Sequence, residues 1–273
     1  MSSLFVKLYL KMCSGIPGFR KITRKWMYQL MARFIKQDQW SFMNYGYAQI
    51  NGYEVKPELD SSDEVNRLSF QLYNHLAKEI DLENKSLLEV GSGRGGGASM
   101  IKKYHKPGTM VGLDYSGNAV KLCNKNHGRE GLTFVEGDAE NLPFGNESFD
   151  AVINVESSHC YESMNRFLKE VKKVLKPGGH FLFTDFRYSH EMDELEKQLN
   201  DSQMAVMKKR DITSNVIQAL DEDHDRRMTD ISKSVPKMFA NQFREFAGVK
   251  ESVVYKQFAN RDLIYFSYIL QKV

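Results

Sequence analysis

Three side chains near the middle of the chain could move a proton. His159 lies in Asn154-Val-Glu-Ser-Ser-His-Cys-Tyr161, Glu156 stands just before it, and Asp185 closes the apolar run His180-Phe-Leu-Phe-Thr-Asp185. Histidine titrates nearest to neutral pH, so His159 is the first candidate for a general base. A carboxylate at Asp185 could fix its tautomer and stabilise its charged form. Glu156 is a rival base or a second orienting group.

A second set of residues suits binding. Leu88-Glu-Val-Gly-Ser-Gly-Arg-Gly-Gly-Gly97 follows a short apolar run, and Gly91, Gly93 and Gly96 match the dinucleotide pattern G-x-G-x-x-G. Glycines there let a backbone turn sharply and approach a ligand. Glu89 argues against a pyrophosphate, which a carboxylate at that place would repel, and for a ligand with cationic groups. Asp114 ends Thr109-Met-Val-Gly-Leu-Asp114, placed to accept from two ribose hydroxyls, and Asp138-Ala139 follows the next apolar run, placed to take an adenine amine. One such acid is as readily a helix cap or a solvated loop. Their recurrence at successive strand ends is what carries the reading.

These residues need a scaffold of strands and helices in alternation. The pattern predicts helices over residues 63–77, 98–104, 116–125 and 164–175, and strands over 85–90, 109–114, 132–137, 149–155 and 180–185. Such alternation makes a parallel sheet with helices on both faces, whose ligands sit at the carboxyl ends of the strands. At the end of the chain, Val253-Val-Tyr-Lys-Gln-Phe258 and Leu263–Leu270 have only Ala259–Asp262 between them. That connector is too short for a parallel crossover, so the two are expected to pair antiparallel.

The chain has 273 residues, 41% hydrophobic and 27% charged, which suffices for a full core. A net charge of +3 gives no argument for nucleic acid. Cys13, Cys123 and Cys160 are too widely spaced for a zinc site or a disulfide framework, and a reducing compartment is expected. No apolar stretch reaches the ~18 residues of a membrane span. Lys7 and Lys11 interrupt the first apolar run, so no cleaved secretory signal is expected. From Met1 to Lys36 there are bases but no acids, and Ile22, Trp26 and Leu30 share one helical side. This segment is a capping helix with a solvated basic face, or a peripheral contact with anionic lipid.

The chain resembles the class I S-adenosylmethionine-dependent methyltransferases. Leu88-Glu-Val-Gly-Ser-Gly-Arg-Gly95 is similar to that family's first motif, and Gly112-Leu-Asp-Tyr-Ser116, Gly137-Asp-Ala-Glu-Asn-Leu-Pro-Phe144, Ser148-Phe-Asp-Ala-Val152 and Leu175-Lys-Pro-Gly-Gly179 follow in its order. A narrower likeness, in Gly95-Gly-Gly-Ala-Ser99, Lys121-Leu-Cys-Asn-Lys-Asn-His127 and Asn154–Tyr161, is to the phthiotriolone and phenolphthiotriolone dimycocerosates O-methyltransferase type. The resemblance implies a Rossmann-like sheet of seven strands, mostly parallel with the last antiparallel, under an N-terminal helical cap. It implies S-adenosylmethionine as cofactor, with Glu89 near the methionine amine, Gly91 and Gly93 along its backbone, Asp114 and Tyr115 at the ribose, Asp138 and Ala139 at the adenine, and Asn154 nearby.

It also implies a lipophilic small-molecule acceptor methylated on a hydroxyl, a cytoplasmic chain, and His159 with Asp185 as the proton-moving pair. C-methylation of a sterol or lipid alkene is the alternative within this chemistry, and a nicotinamide oxidoreductase the alternative outside it. Residues 1–60 are expected to form a basic cap and lid, with Tyr45 or Tyr47 covering the sulfonium by a cation–π contact, or simply packing. Residues 61–273 form the catalytic domain. A helical insertion at about 190–240 is expected to bind the acceptor, with Met204, Met207, Met228 and Met238 offering an adaptable apolar wall.

Overall fold

A computed structural model describes residues 41–50 and 56–273. The expected basic helix before Lys36 lies outside the described residues. The chain order is α1 (Arg67–Ala77), β1 (Ser86–Val90), α2 (Gly96–Tyr104), β2 (Thr109–Asp114), α3 (Gly117–His127), β3 (Leu132–Glu136), β4 (Phe149–Val155), α4 (Met164–Val174) and β5 (Leu175–Tyr188). It continues with α5 (Met192–Asp201), β6 (Met204–Asp211), α6 (Thr213–Glu222), α7 (His224–Ser234), α8 (Ala240–Phe246), α9 (Val253–Ala259) and β7 (Leu263–Lys272). The seven strands form one sheet in the order β3-β2-β1-β4-β5-β7-β6. β1 to β5 run parallel, and β7 lies antiparallel between β5 and β6.

The strands alternate their side chains between two apolar layers. Leu87, Ala151, Ile153, Leu182 and Tyr265 face Phe70, Leu72 and Leu76 of α1, Ile101 of α2 and Val216 of α6. Leu88, Val152, Phe181, Phe183 and Phe266 face Phe167, Leu168 and Val171 of α4 and Leu195 of α5. A strand buried on both faces reads as an unbroken apolar run, as β1 and β4 do. The order of the sheet reverses between β1 and β4. The chain therefore leaves a crevice at their carboxyl ends, where the glycine loop and the Asn154–Tyr161 loop meet.

Several expectations change. Residues 253–258 are not a strand but the first part of α9. Ser252 caps that helix by accepting from the Tyr255 amide, while Val254, Tyr255 and Phe258 form one apolar face. That helical spacing outweighs the β-branched start of the segment. The antiparallel partners of β7 are β5 and β6.

The stretch at 190–240 also holds β6, whose Lys208, Lys209 and Arg210 make a charged edge strand. Lys208 and Arg210 both pair with Glu79, which holds that edge against the end of the first helical layer. Met204 is buried in the second layer and Met207 is exposed, and neither is on the wall of the site pocket described below; Met228 packs at the α7–α8 cluster. The start of α1 also shifts: a single 3-10 turn occupies Glu64–Asn66, and Val65 is exposed.

Candidate active site

The site is built along the carboxyl edge of the sheet. β1 ends in Glu89-Val90, and the chain then turns at Gly91 with φ +80°. A side chain on Gly91 would collide with Ser157 Oγ, and one on Gly97 would collide with the Tyr73 ring. Those two positions therefore need glycine for close approach, and Gly91 needs it for its backbone as well. The Gly93 amide donates to Asp114 Oδ2 at 2.9 Å and the Ser116 amide to Oδ1 at 2.8 Å. These bonds tie the loop after β1 to the end of β2. Burial raises the Asp114 carboxyl above its ordinary range against the pull of these two amides.

Glu89 is fully buried behind the loop. Its Oε1 accepts from Tyr73 Oη at 2.7 Å, and its Oε2 has no hydrogen-bond partner among the described residues. Burial pushes this carboxyl up to about 7. A buried acceptor without a donor is costly, and an ammonium group is the ligand feature that would relieve it. Asn154 is wholly buried. Its amide nitrogen reaches Val90 O at 2.9 Å, Ser157 Oγ at 2.8 Å and Tyr161 Oη at 3.0 Å, which clamps the β4 loop to the glycine loop. Tyr115 is exposed beside Asp114, and Asp138 with Ala139 follows β3, one strand further out.

One pocket brings the loop glycines and the proton-moving residues together. Its wall includes Gly91, Gly93, Glu156 and His159, with Met43, Tyr45, Phe186 and Phe246 as the apolar part. His159 stands on a single 3-10 turn, Ser158–Cys160, straight after β4. Its Nδ1 lies 2.8 Å from Asp185 Oδ1, and its ring stacks on Phe186 with centroids 4.6 Å apart. Asp185 is fully buried and accepts further bonds from Ser158 Oγ at 2.6 Å and from the amides of His159 and Phe186 at 2.9 Å each. Arg187 Nη1 is 3.3 Å from its other oxygen.

The charges follow from these contacts. Burial would raise Asp185, but His159 and Arg187 outweigh it and hold the carboxyl well below the usual aspartate range. Burial works against the His159 cation, while Cys160 and Asp185 favour it, and the imidazole is pushed up to about 10. Glu156 has φ +46°, an uncommon backbone for a residue with a side chain. Its Oε1 accepts from the Tyr45 amide at 2.7 Å and from Tyr265 Oη at 2.6 Å. Burial pushes its carboxyl up to about 7.

The segment 41–48 crosses the pocket. Arg227 of α7 holds it, with Nη2 donating to Asn44 O at 3.2 Å and Tyr45 O at 3.1 Å. Tyr45 faces the pocket, whereas Tyr47 stacks on His75 at 4.6 Å and does not line it. Tyr265, Arg227, Arg187 and Phe186 escape a reading of the sequence because no local pattern marks them. Each reaches the site from a distant part of the chain or from the plain run of a strand.

Residues 88–183 match the model of the methyltransferase domain family. The chain is 37% identical to the phthiotriol/phenolphthiotriol dimycocerosates methyltransferase of Mycobacterium leprae, over 97% of both chains.

The chain belongs to this family of S-adenosylmethionine-dependent methyltransferases.

The methyltransferase is also 37% identical to the fatty-acid O-methyltransferase of Mycolicibacterium smegmatis, over 84% of this chain and 83% of that one. Among solved structures, geranyl diphosphate C-methyltransferase from Streptomyces coelicolor A3(2) superposes with a TM-score of 0.62 at 14% identity, over 85% of this chain and 92% of that one. That likeness supports the fold. The methyltransferase fits its cofactor on its own residues as well. The bare glycine turn would leave room for a ligand backbone, and the buried Glu89 carboxylate, whose Oε2 has no hydrogen-bond partner among the described residues, would suit a cationic group. Among the described residues no cluster of His, Cys, Asp and Glu could hold a metal ion, and no helix is long and apolar enough to cross a membrane.

Proposed function

We propose that this methyltransferase methylates a hydroxyl oxygen of a lipophilic small molecule, with His159 as the general base and Asp185 as its orienting partner. The observation that carries this reading is the 2.8 Å contact between His159 Nδ1 and Asp185 Oδ1 in a pocket that also contains the glycine turn. With Nδ1 donating to Asp185, Nε2 is the basic nitrogen, and stacking on Phe186 fixes the plane in which it takes the hydroxyl proton. Asp185 stabilises the resulting imidazolium, a base-orienter pair of the general kind. Bound S-adenosylmethionine supplies a methyl group on a sulfonium, open to in-line displacement.

Glu89, Gly91, Gly93, Asp114, Tyr115, Asp138 and Ala139 are the residues that would hold the cofactor. They lie across the ends of β1, β2 and β3, next to the end of β4 that carries His159. Tyr45, Met43, Phe186 and Phe246 supply the apolar wall for the acceptor and keep water out. The names of both relatives support a lipid acceptor. The acid-free N-terminal segment supports delivery from a lipid surface, and α5 to α8 with β6 supply the rest of the acceptor side.

The test is mass spectrometry of lipid extract from the native organism, incubated with the enzyme and isotope-labelled cofactor. A labelled methyl ether supports the reading. Label on carbon alone would replace it with C-methylation, which the aromatic wall and the half-buried Glu156 carboxylate also suit.

A further inference from the structure

Asp185 faces two cations, and the proposed reaction uses only one of them. We infer that Arg187 is a positioning residue for methyl transfer: it fixes the far oxygen of Asp185 and shares that carboxylate's charge, so that Asp185 does not hold the proton of His159 alone. The inference rests on the reading of His159 as the base, and goes beyond it to a residue that sets how strong a base it is.

The two oxygens of Asp185 divide the contacts. Oδ1 accepts from His159 Nδ1 at 2.8 Å and from the Phe186 amide at 2.9 Å. Oδ2 accepts from Ser158 Oγ at 2.6 Å and from the His159 amide at 2.9 Å, and Arg187 Nη1 lies 3.3 Å from it. Arg187 stands two residues after Asp185 on β5, so both side chains leave the same side of the sheet. There its guanidinium lies over the ring of Phe266, 5.9 Å from the centroid, and Phe266 is the β7 residue in register with Asp185. Nη2 donates to Ser158 Oγ at 2.7 Å and Nη1 to Phe186 O at 2.7 Å. Since Ser158 Oγ accepts from Arg187, its own proton is committed to Asp185. The contacts close a ring of Arg187, Ser158 and Asp185, which suits a planar fork of donors better than a single ammonium.

The imidazolium and the guanidinium thus face one carboxylate, and a guanidinium keeps its charge across any working pH. Burial disfavours the imidazolium, while Cys160 and Asp185 favour it. A second cation on the same carboxylate disfavours it further, so Arg187 works against the pull of Asp185. The imidazole is thereby left a base that can also release its proton after each turnover.

The other titratable groups around the imidazole and its carboxylate are Cys160 and Glu156 of the same loop, Tyr161 after it, Tyr45 of the crossing segment and Tyr265 of β7. Arg94 of the glycine loop lies on the same pocket wall. Glu156 and Glu89, both lifted to about 7, titrate below the imidazole, so a rate profile near neutral pH mixes them in. The His159 ring must be read directly.

The experiment is an NMR titration of the full chain with S-adenosylhomocysteine bound, in protein with isotope-labelled histidine and arginine. The His159 Cε1 signal is assigned by its loss in His159→Gln. Arg187→Gln keeps a donor for Ser158 and loses the charge; it should raise the His159 midpoint by at least about half a unit, roughly a threefold tighter hold on the proton. Arg187→Lys keeps the charge and should return most of that shift. In wild type, which needs no folded variant, the Arg187 guanidinium carbon should shift with the His159 midpoint. A midpoint unmoved or lowered in Arg187→Gln, an equal shift in Arg187→Lys, or an Arg187 signal flat through the His159 titration would overturn the inference. These readouts involve no turnover. A raised midpoint in Arg187→Gln with the rising limb of turnover unmoved would instead count against His159 as the base, and so against the proposed reaction alone.

Discussion

Replacing Asp185 by asparagine separates the orienting role of this carboxylate from its charge. Its oxygens accept from Ser158 Oγ, from the amides of His159 and Phe186, and from His159 Nδ1. An asparagine has one carbonyl oxygen, so its NH₂ must face the donors at the other oxygen position: either Ser158 Oγ with the His159 amide, or His159 Nδ1 with the Phe186 amide. In one orientation His159 Nδ1 and the Phe186 amide lose their acceptor; in the other the His159 amide loses its acceptor and Ser158 Oγ must turn from donor to acceptor, at about 1–3 kcal/mol for each lost bond. The cost, about 1–6 kcal/mol depending on the orientation, spans the roughly 3–5 kcal/mol typical of breaking a buried ion pair by removing one partner.

The sign with pH also follows. A carboxyl held low in the fold contributes stability above the ordinary aspartate range, and loses it as pH falls through the folded value. The deficit of Asp185→Asn should therefore be full at neutral pH and shrink in strong acid. On the kinetic side, only neutral imidazole accepts a proton, so the upward shift of His159 moves the rising limb of the rate profile to higher pH than a free histidine would give. Removing the anion should move that limb down by at least about one unit, while the plateau rate falls because the ring is poorly oriented. Thermal unfolding and turnover against pH, measured on the same preparation, read both effects. A variant with a lower plateau but an unmoved rising limb would refute the assignment of the limb to His159.

His159→Ala should cut turnover by ~10²–10⁴, more than Asp185→Asn does, and leave cofactor affinity by calorimetry nearly unchanged. Near-normal turnover with a flat pH profile would transfer the proton to Glu156 or remove the need for a base. Asp114→Ala should weaken cofactor binding at least about tenfold through loss of hydrogen bonds to a charged group, and an unaltered dissociation constant in a folded variant would displace the ribose from β2. Gly91→Ala should abolish cofactor binding and lower the melting temperature, since its methyl meets Ser157 Oγ on a backbone at φ +80°; retention of both would show that the loop relaxes freely. Deleting residues 1–36 should reduce flotation with anionic vesicles and raise the Michaelis constant for an apolar acceptor, with equal flotation counting against a lipid-facing role for that segment.

The glycine turn, the acids at successive strand ends and the unbroken apolar runs were legible in the sequence because each is local. A strand buried on both faces must be apolar throughout, and a loop that touches a ligand must be bare. The fate of residues 253–258 was less legible: two valines in a row look like a strand, and only packing of Val254, Tyr255 and Phe258 against the first apolar layer makes them a helix. The edge strand β6 was hidden for the converse reason. Its lysines and arginine gain nothing from burial and are tolerated because β7 supplies the hydrogen bonds.

At the site, sequence order placed His159 and Asp185 at the ends of neighbouring strands. That they touch, and that Arg187 and Ser158 complete the carboxylate's shell, was decided by the parallel register of β4 with β5. The acids at the strand ends could be picked out by type and spacing, but their surroundings could not, and desolvation is what lifts Glu89 and Glu156 to about 7. Tyr265, far along the chain on β7, reaches Glu156 only because β7 lies beside β5. A one-dimensional pattern records which groups are present at which strand ends. Desolvation and contact between distant strands depend on the closed three-dimensional sheet, and those set the charge and the aim of each group.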